Sequence, residues 1–214
     1  MKKIGILGSG AVGITLANGF IKHGYQAILA TNNSTKHEDL KKKLDPEVAI
    51  GTFFEAAEFG DTLVLAVKGS AAEEVLKSVS GFLDGKTVMD ATNPIAPLPP
   101  VNGVLQFFTG PNDSLMEKLQ LLFPSANFVK VFNSVGSGFM VNPDFGGEKP
   151  SMFICGNSDE AKQEVTNLLT QFGWDTEDMG KVEAARAIEP LCMLWCIPGF
   201  LNNQWSHAFR LMKK

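Results

Sequence analysis

Arginine is almost missing from this chain of 214 residues, with only Arg186 and Arg210 present. Histidine is scarce, at positions 23, 37 and 207, and Tyr25 is the single tyrosine. The usual proton-transfer inventory of a hydrolase or alcohol dehydrogenase is therefore thin. Cysteine is limited to Cys155, Cys192 and Cys196, too few and odd in number for a disulfide framework. That points to a reducing compartment, read here as the cytoplasm. A net charge of −4 argues against nucleic acid or an anionic membrane as partner. Two lysines precede an apolar run in "MKKIGILGSGAVG", but no small-residue cleavage site follows, so no leader is expected. The longest apolar run, "PLCMLWCIPGFL", is broken by prolines and reads as too short to span a bilayer.

Short apolar runs alternate with helix-length segments. "KIGILG", "QAILA", "TLVLAV", "TVMDAT" and "NFVKVFN" read as buried strands, with amphipathic helices between them. This βαβα rhythm predicts an α/β fold: a doubly wound Rossmann-type, mainly parallel sheet. "PSMFICG" reads as the last strand. The organisation expected is a dinucleotide-binding domain over residues 1–156 and a small C-terminal helical extension over 157–214. Pro190 and Pro198 are expected to break that tail into a compact, bent piece. Trp195, Phe200, Leu201 and Trp205 put more apolar surface there than it can bury alone, which predicts a homodimer.

"GSGAVG" places Gly8, Gly10 and Gly13 after a predicted strand and at the opening of a helix. In that context the spacing is a dinucleotide fingerprint. Gly8 permits the tight turn, Gly10 lets a pyrophosphate approach the backbone, and Gly13 lets helix and strand pack closely. An NAD-binding domain usually carries a carboxylate about 20 residues further on, to hold the ribose 2′-hydroxyl. Here the second strand ends in Thr31, Asn32 and Asn33, followed by Ser34, Thr35 and Lys36. Neutral donors and one positive charge favour NADP(H) over NAD(H), although no arginine stands nearby to grip a 2′-phosphate. Asn33 or Ser34 also reads as a helix cap.

Lys68, at the end of the fourth strand, is the one candidate proton donor at the edge where ligands bind. His207 reads as a surface residue, and Glu189 as a helix-surface carboxylate. Cys192 and Cys196 share a helix face but have no further ligands near them in sequence, so they read as packing residues and no metal is expected. So few acid–base groups fit hydride transfer between two bound cofactors, where the protein mainly orients the reactants. A non-catalytic NADP(H)-binding sensor and an imine or keto reductase using Lys68 are the alternatives.

"GSGAVG", "DATNPI" (90–95), "VKVFNSVG" (129–136), "PSMFICGN" (150–157) and "VEAARAIEPL" (182–191) occur together in an order that resembles the F420-dependent NADP oxidoreductase family. The chain is also similar to the cytosolic oxidoreductase domain of the STEAP metalloreductases. The resemblance implies hydride transfer between NADP(H) and a deazaflavin, or a flavin, as second ligand, usually in a homodimer. It implies that Gly8, Ser9, Gly10, Ala11 and Val12 hold the pyrophosphate, and that Thr31, Asn32 and Lys36 lie at the 2′-phosphate. Ala66, Val67 and Lys68 would run beneath the ribose and nicotinamide. Ala91, Asn93 and Asn133 would border the ring, with Ser134 beside the acceptor.

Overall fold

The computed structural model describes residues 2–214, the side chain of Ser34 excepted. Eight strands form one sheet in the order β3-β2-β1-β4-β5-β6-β7-β8. They are β1 (Lys3–Leu7), β2 (Gln26–Ala30), β3 (Ala49–Gly51), β4 (Thr62–Leu65), β5 (Thr87–Asp90), β6 (Asn127–Lys130), β7 (Ser151–Gly156) and β8 (Asp175–Asp178). The first six are parallel, β7 runs antiparallel to β6, and β8 is parallel to β7. β4 and β5 are buried at every position, as a parallel sheet covered on both faces requires. The α/β layers do not stop at Gly156: α6 (Asp159–Gln171) and β8 extend them, so β7 is not the last strand.

Helices cover both faces. α1 (Ala11–Lys22), with α6, packs over a core that includes Ile4, Ile6, Phe20, Leu29, Val129, Phe132 and Trp174. α3 (Phe53–Phe59), α4 (Gly69–Ser78) and α5 (Leu115–Leu122) close the second core around Leu63, Leu65, Leu76, Val88, Met116 and Phe128. Full burial of each such side chain is worth roughly 1.5–3 kcal/mol. α2 (His37–Lys43) lies outside, with little but Leu40 buried. The strand order reverses between β1 and β4, which opens a crevice at the carboxyl ends of those strands.

The tail departs from expectation. Pro190 and Pro198 do not break it; both lie inside one continuous helix, α7 (Ala185–Asn202). Ala185, Ile188, Glu189, Cys192, Trp195 and Gly199 form its buried stripe, and this packing outweighs the two missing amide donors. The helical stretch Val182–Asn202, 21 residues long, is long and apolar enough by composition to cross a membrane, unlike the shorter run read from sequence. Asn203, in the left-handed conformation with φ 53°, ends the helix.

The chain then turns back along α7. His207 is half-buried and not a surface residue: its ring stacks on Trp195 at 4.9 Å, and its Nε2 meets the Trp195 carbonyl at 2.9 Å. Trp195 Nε1 donates to the His207 carbonyl at 2.8 Å. Trp195 itself is buried, so it serves the core and not a docking face. Phe209 then offers its carbonyl to the amide of Ser151 on β7. Replacing His207 with Ala removes one of these bonds and the ring stack, and should cost about 1–2 kcal/mol. A melting temperature lowered by about 2–8 °C in calorimetry is the expected result, and an unchanged one would show that the clasp does not contribute.

Candidate active site

The β1–α1 turn is built by close backbone approach. Gly8 has φ +132°, and a Cβ there would lie 2.4 Å from the Ala66 carbonyl oxygen. A Cβ on Gly13 would lie 2.0 Å from the Gly8 oxygen. Gly10 differs: nothing stands within 4 Å of where its Cβ would project. No side chain caps α1, and its first turn holds no acidic residue. The positive end of a 12-residue helix therefore opens on free space beside Gly10, as an anionic pyrophosphate requires.

That space belongs to a cleft of about 560 Å³, lined by residues 8–12, 31–33, 36, 53 and 66–68. Gly8, Ser9, Gly10, Ala11, Val12, Thr31, Asn32, Lys36, Ala66, Val67 and Lys68 all lie in its wall, with Gly13 directly behind. Ser9 Oγ donates to Thr31 Oγ1 at 3.1 Å, and Thr31 Oγ1 accepts from the Asn33 amide at 3.2 Å. Thr31 therefore ties the glycine turn to the loop after β2. Asn33 acts as the turn cap, its Oδ1 accepting from the Thr35 amide and hydroxyl. The proposed Ser34 cap lies outside the described side chains.

Charge at this end is simple. On α2, Lys41 pairs with Glu38 and Lys43 with Asp39. Both carboxyls are held below their usual range, first by the hydrogen bond from their lysine and then by its charge. Lys36 has no carboxylate partner among the described residues, and neither has Lys68 farther along the same wall, so the cleft carries two unneutralised ammonium groups. The arginines serve other places: Arg186 grips Glu117 through Nε and Nη2, and Arg210 pairs with Glu148. Phe53, at the start of α3, is a cleft residue that the sequence reading missed. Its signal is the capping box Thr52–Glu55 directly after β3, which fixes where the helix begins.

At Val67 and Lys68 the cleft continues into a second cavity of about 380 Å³, bounded also by residues 69–70, 91–93 and 95–97. Gly69 is required here, because a Cβ would lie 2.1 Å from the Asn93 carbonyl oxygen. A dinucleotide with its pyrophosphate on α1 and its adenosine toward Lys36 would pass over Val67 and Lys68 toward Ala91 and Asn93. Neither cavity is lined by histidine, tyrosine, cysteine, aspartate or glutamate, and Lys68 is the one charged side chain that both share.

Asn133 and Ser134 stand behind the wall, each only 4% exposed. Asn133 Nδ2 donates to the Ile188 carbonyl at 2.9 Å and approaches Asn93 Oδ1 at 3.3 Å. Asn93 Nδ2 donates back to the Asn133 carbonyl at 2.9 Å. Phe132 just before them has φ 61°, a strained conformation held by a fully packed surround. Glu189 is not a surface carboxylate: it is buried at 1% exposure beside the fully buried Lys130 and Asp90. Cys192 is buried and Cys196 half-buried. A hydrogen bond from the Cys192 thiol, aided by burial, pushes Cys192 up, and the same bond lowers Cys196. Among the described residues no group of three or more His, Cys, Asp or Glu is placed to hold a metal.

Residues 3–94 match the family model described as NADP oxidoreductase, coenzyme F420-dependent. Over 204 residues, 93% of its length, the chain is 29% identical to the metalloreductase STEAP3 of Rattus norvegicus, but it spans only 39% of that protein. It is 26% identical over 206 residues to the F420-dependent NADP reductase of Methanocaldococcus jannaschii, covering 90% of each. Among solved structures it is similar to an Arthrobacter sp. FB24 protein assigned as an F420-dependent NADP reductase, at TM-score 0.91 and 28% identity over 100% of both chains. The resemblance carried by the sequence motifs and the doubly wound fold are thereby borne out.

The glycines yield a contrast that tests the cleft. Gly10→Val should leave the protein folded and abolish dinucleotide binding, since its side chain enters the free space. Gly13→Ala should instead lower stability by about 2 kcal/mol or more, because the clash is with backbone. Calorimetric titration and thermal melting check both; retained binding in a folded Gly10→Val would overturn the assignment.

Proposed function

We propose that this chain, matched by the F420-dependent NADP oxidoreductase model and similar over most of its length to the relatives above, is an NADP(H)-dependent oxidoreductase. It passes hydride between NADP(H) and a flat ring acceptor, a deazaflavin or flavin. The observation that carries this reading is the lining of the two joined cavities: a helix N-terminus, neutral donors and small apolar residues, with almost no acid–base groups. Hydride transfer between stacked rings needs approach and alignment and no proton relay from the protein. The second cavity, apolar along Val67, Ala91, Ile95, Ala96 and Pro97, suits a ring held against the nicotinamide.

The residues present fit the cofactor. The amides opening α1 would hold the pyrophosphate, Asn32 and Lys36 the 2′-phosphate, and Ala91 and Asn93 would border the nicotinamide. The cofactor supplies the hydride; the chain orients it, excludes water and fixes which end meets the acceptor. Lys68 favours a second reading, an imine or keto reductase, because its side chain stands where the cavities meet. Loss of turnover in Lys68→Ala with cofactor affinity intact would select that reading. A homodimer is part of the proposal: Leu194, Phe200 and Leu201 of α7 are exposed, Gly103 lies against Leu201, and Leu98 and Val101 of the same loop are exposed too. A dimer mass in light scattering is expected.

Two measurements follow. NADP(H) should bind more tightly than NAD(H) by about tenfold, and Lys36→Ala should remove most of that preference; equal affinities in the wild type would refute the 2′-phosphate site. Stopped-flow oxidation of NADPH by a flavin or deazaflavin should vary little between about pH 6 and 8, apart from the acceptor's own protonation. If neither acceptor oxidises NADPH, the enzyme reading gives way to a cofactor-binding sensor.

A further inference from the structure

Behind the second cavity lies a buried charge cluster that the proposed chemistry leaves unused. Lys130, Asp90 and Glu189 are at most 1% exposed. The Lys130 ammonium pairs with Asp90 Oδ2 at 2.7 Å and Glu189 Oε1 at 3.0 Å, and donates to the Thr92 carbonyl at 3.0 Å. Asp90 Oδ1 accepts from the Thr92 amide at 2.9 Å and from the Thr92 hydroxyl at 2.6 Å. Every polar group of Thr92 is thus held by a charged partner, the stronger class of hydrogen bond. Glu189 takes the amides of Leu115 and Met116 at 3.0 Å each, so the start of α5 offsets the cluster's remaining negative charge. Burial alone would depress Lys130, but Asp90 and then Glu189 outweigh it and keep the ammonium above its usual value.

A buried ion cluster is seldom more stabilising than apolar packing of the same volume. What it supplies here is direction. Thr92 and its neighbours Ala91 and Asn93 form one wall of the second cavity. That wall is tied to a single turn of α7 by two separate routes. One runs from Thr92 through Lys130 to Glu189. The other runs from Asn93 through Asn133 to the Ile188 carbonyl. Adjacent residues of α7 therefore fix adjacent residues of the wall.

We infer that Lys130, with Asp90 and Glu189, is a positioning residue for the nicotinamide side of the site: it locks the Ala91–Asn93 wall to α7 and leaves the adenosine end untouched. This rests on the NADP(H) reading above. None of the three side chains lines the first cleft or the second cavity, so they act on a ligand there only through the residues they hold.

The test uses two halves of one ligand. NADP+ and 2′,5′-ADP, which lacks the nicotinamide, are titrated by calorimetry into the intact protein and into two variants. Asp90→Asn with Lys130→Met removes the Lys130 tie to the Thr92 carbonyl while keeping one net buried negative charge, and Glu189→Gln releases the α7 side. Either variant should bind NADP+ about tenfold more weakly, with 2′,5′-ADP unchanged within about twofold. A general loss of structure would weaken both ligands together. Equal weakening of both, or of neither, in a folded variant overturns the positioning role and leaves the cofactor reading standing. Failure of both variants to fold assigns the cluster to folding and also overturns it. If the wild type binds neither ligand, the cofactor reading falls and the inference with it.

Discussion

Everything in the candidate site depends on how closely α1 can approach β1. The helix starts where Gly13 sits against the Gly8 carbonyl, at a distance that admits no side chain. Gly8 in turn adopts a backbone conformation open to glycine and packs on the Ala66 carbonyl at the end of β4. These contacts draw β1, α1 and the β4–α4 turn together at the reversal of strand order. The free amides of α1 then face a cleft instead of a neighbouring side chain. Thr31 and Asn33 extend the same geometry to the β2 side, through a hydroxyl shared between the two loops.

The site is accordingly asymmetric. Its Lys36 end is open, polar and lightly charged, shaped by short loops. Its far end is walled by residues 91–93 and 95–97 and backed by buried charge and by α7. Flexibility is tolerable where a phosphate needs only donors and a positive field. On the proposed reading, precision belongs at the far end, where a nicotinamide would meet its acceptor, because a misplacement of about 1 Å in a reacting pair costs a large factor in rate. The strained Phe132 and the braced Thr92 both fall on that second side.

Much of this was legible in the sequence because it depends on local pattern. Apolar runs alternating with helical segments located β1, β2, β4, β5 and β6, and the spacing of Gly8, Gly10 and Gly13 located the cleft. The missing carboxylate after Ala30 appears in the structure as a cleft wall of neutral Thr31, Asn32 and Asn33 beside Lys36. Other features were not legible, since long-range contacts decide them. "DTED" is too polar to read as a strand, yet β8 forms on the edge of β7, where only Glu177 is buried. Two prolines signal a broken tail, but burial of Ile188, Cys192 and Trp195 holds α7 together. Lys130 looked like one polar residue in an extended run, and Glu189 like a solvated one. Their partners are distant in sequence: 40 residues separate Asp90 from Lys130, and 59 separate Lys130 from Glu189. Asn133 and Ser134 were assigned to the acceptor pocket by family likeness; both are buried, and neither lines the second cavity.

The central claim is that one dinucleotide lies across the carboxyl edge of the sheet, pyrophosphate on α1, 2′-phosphate at Lys36 and nicotinamide toward Asn93. Backbone amide NMR during titration of the wild-type protein with NADP+ tests it most directly. The account predicts the largest shifts at residues 8–13, 31–36, 66–69 and 91–93, and little change at residues 159–178 on the far edge. Shifts centred on α6 and β8, or absent from the α1 amides at saturation, would contradict it.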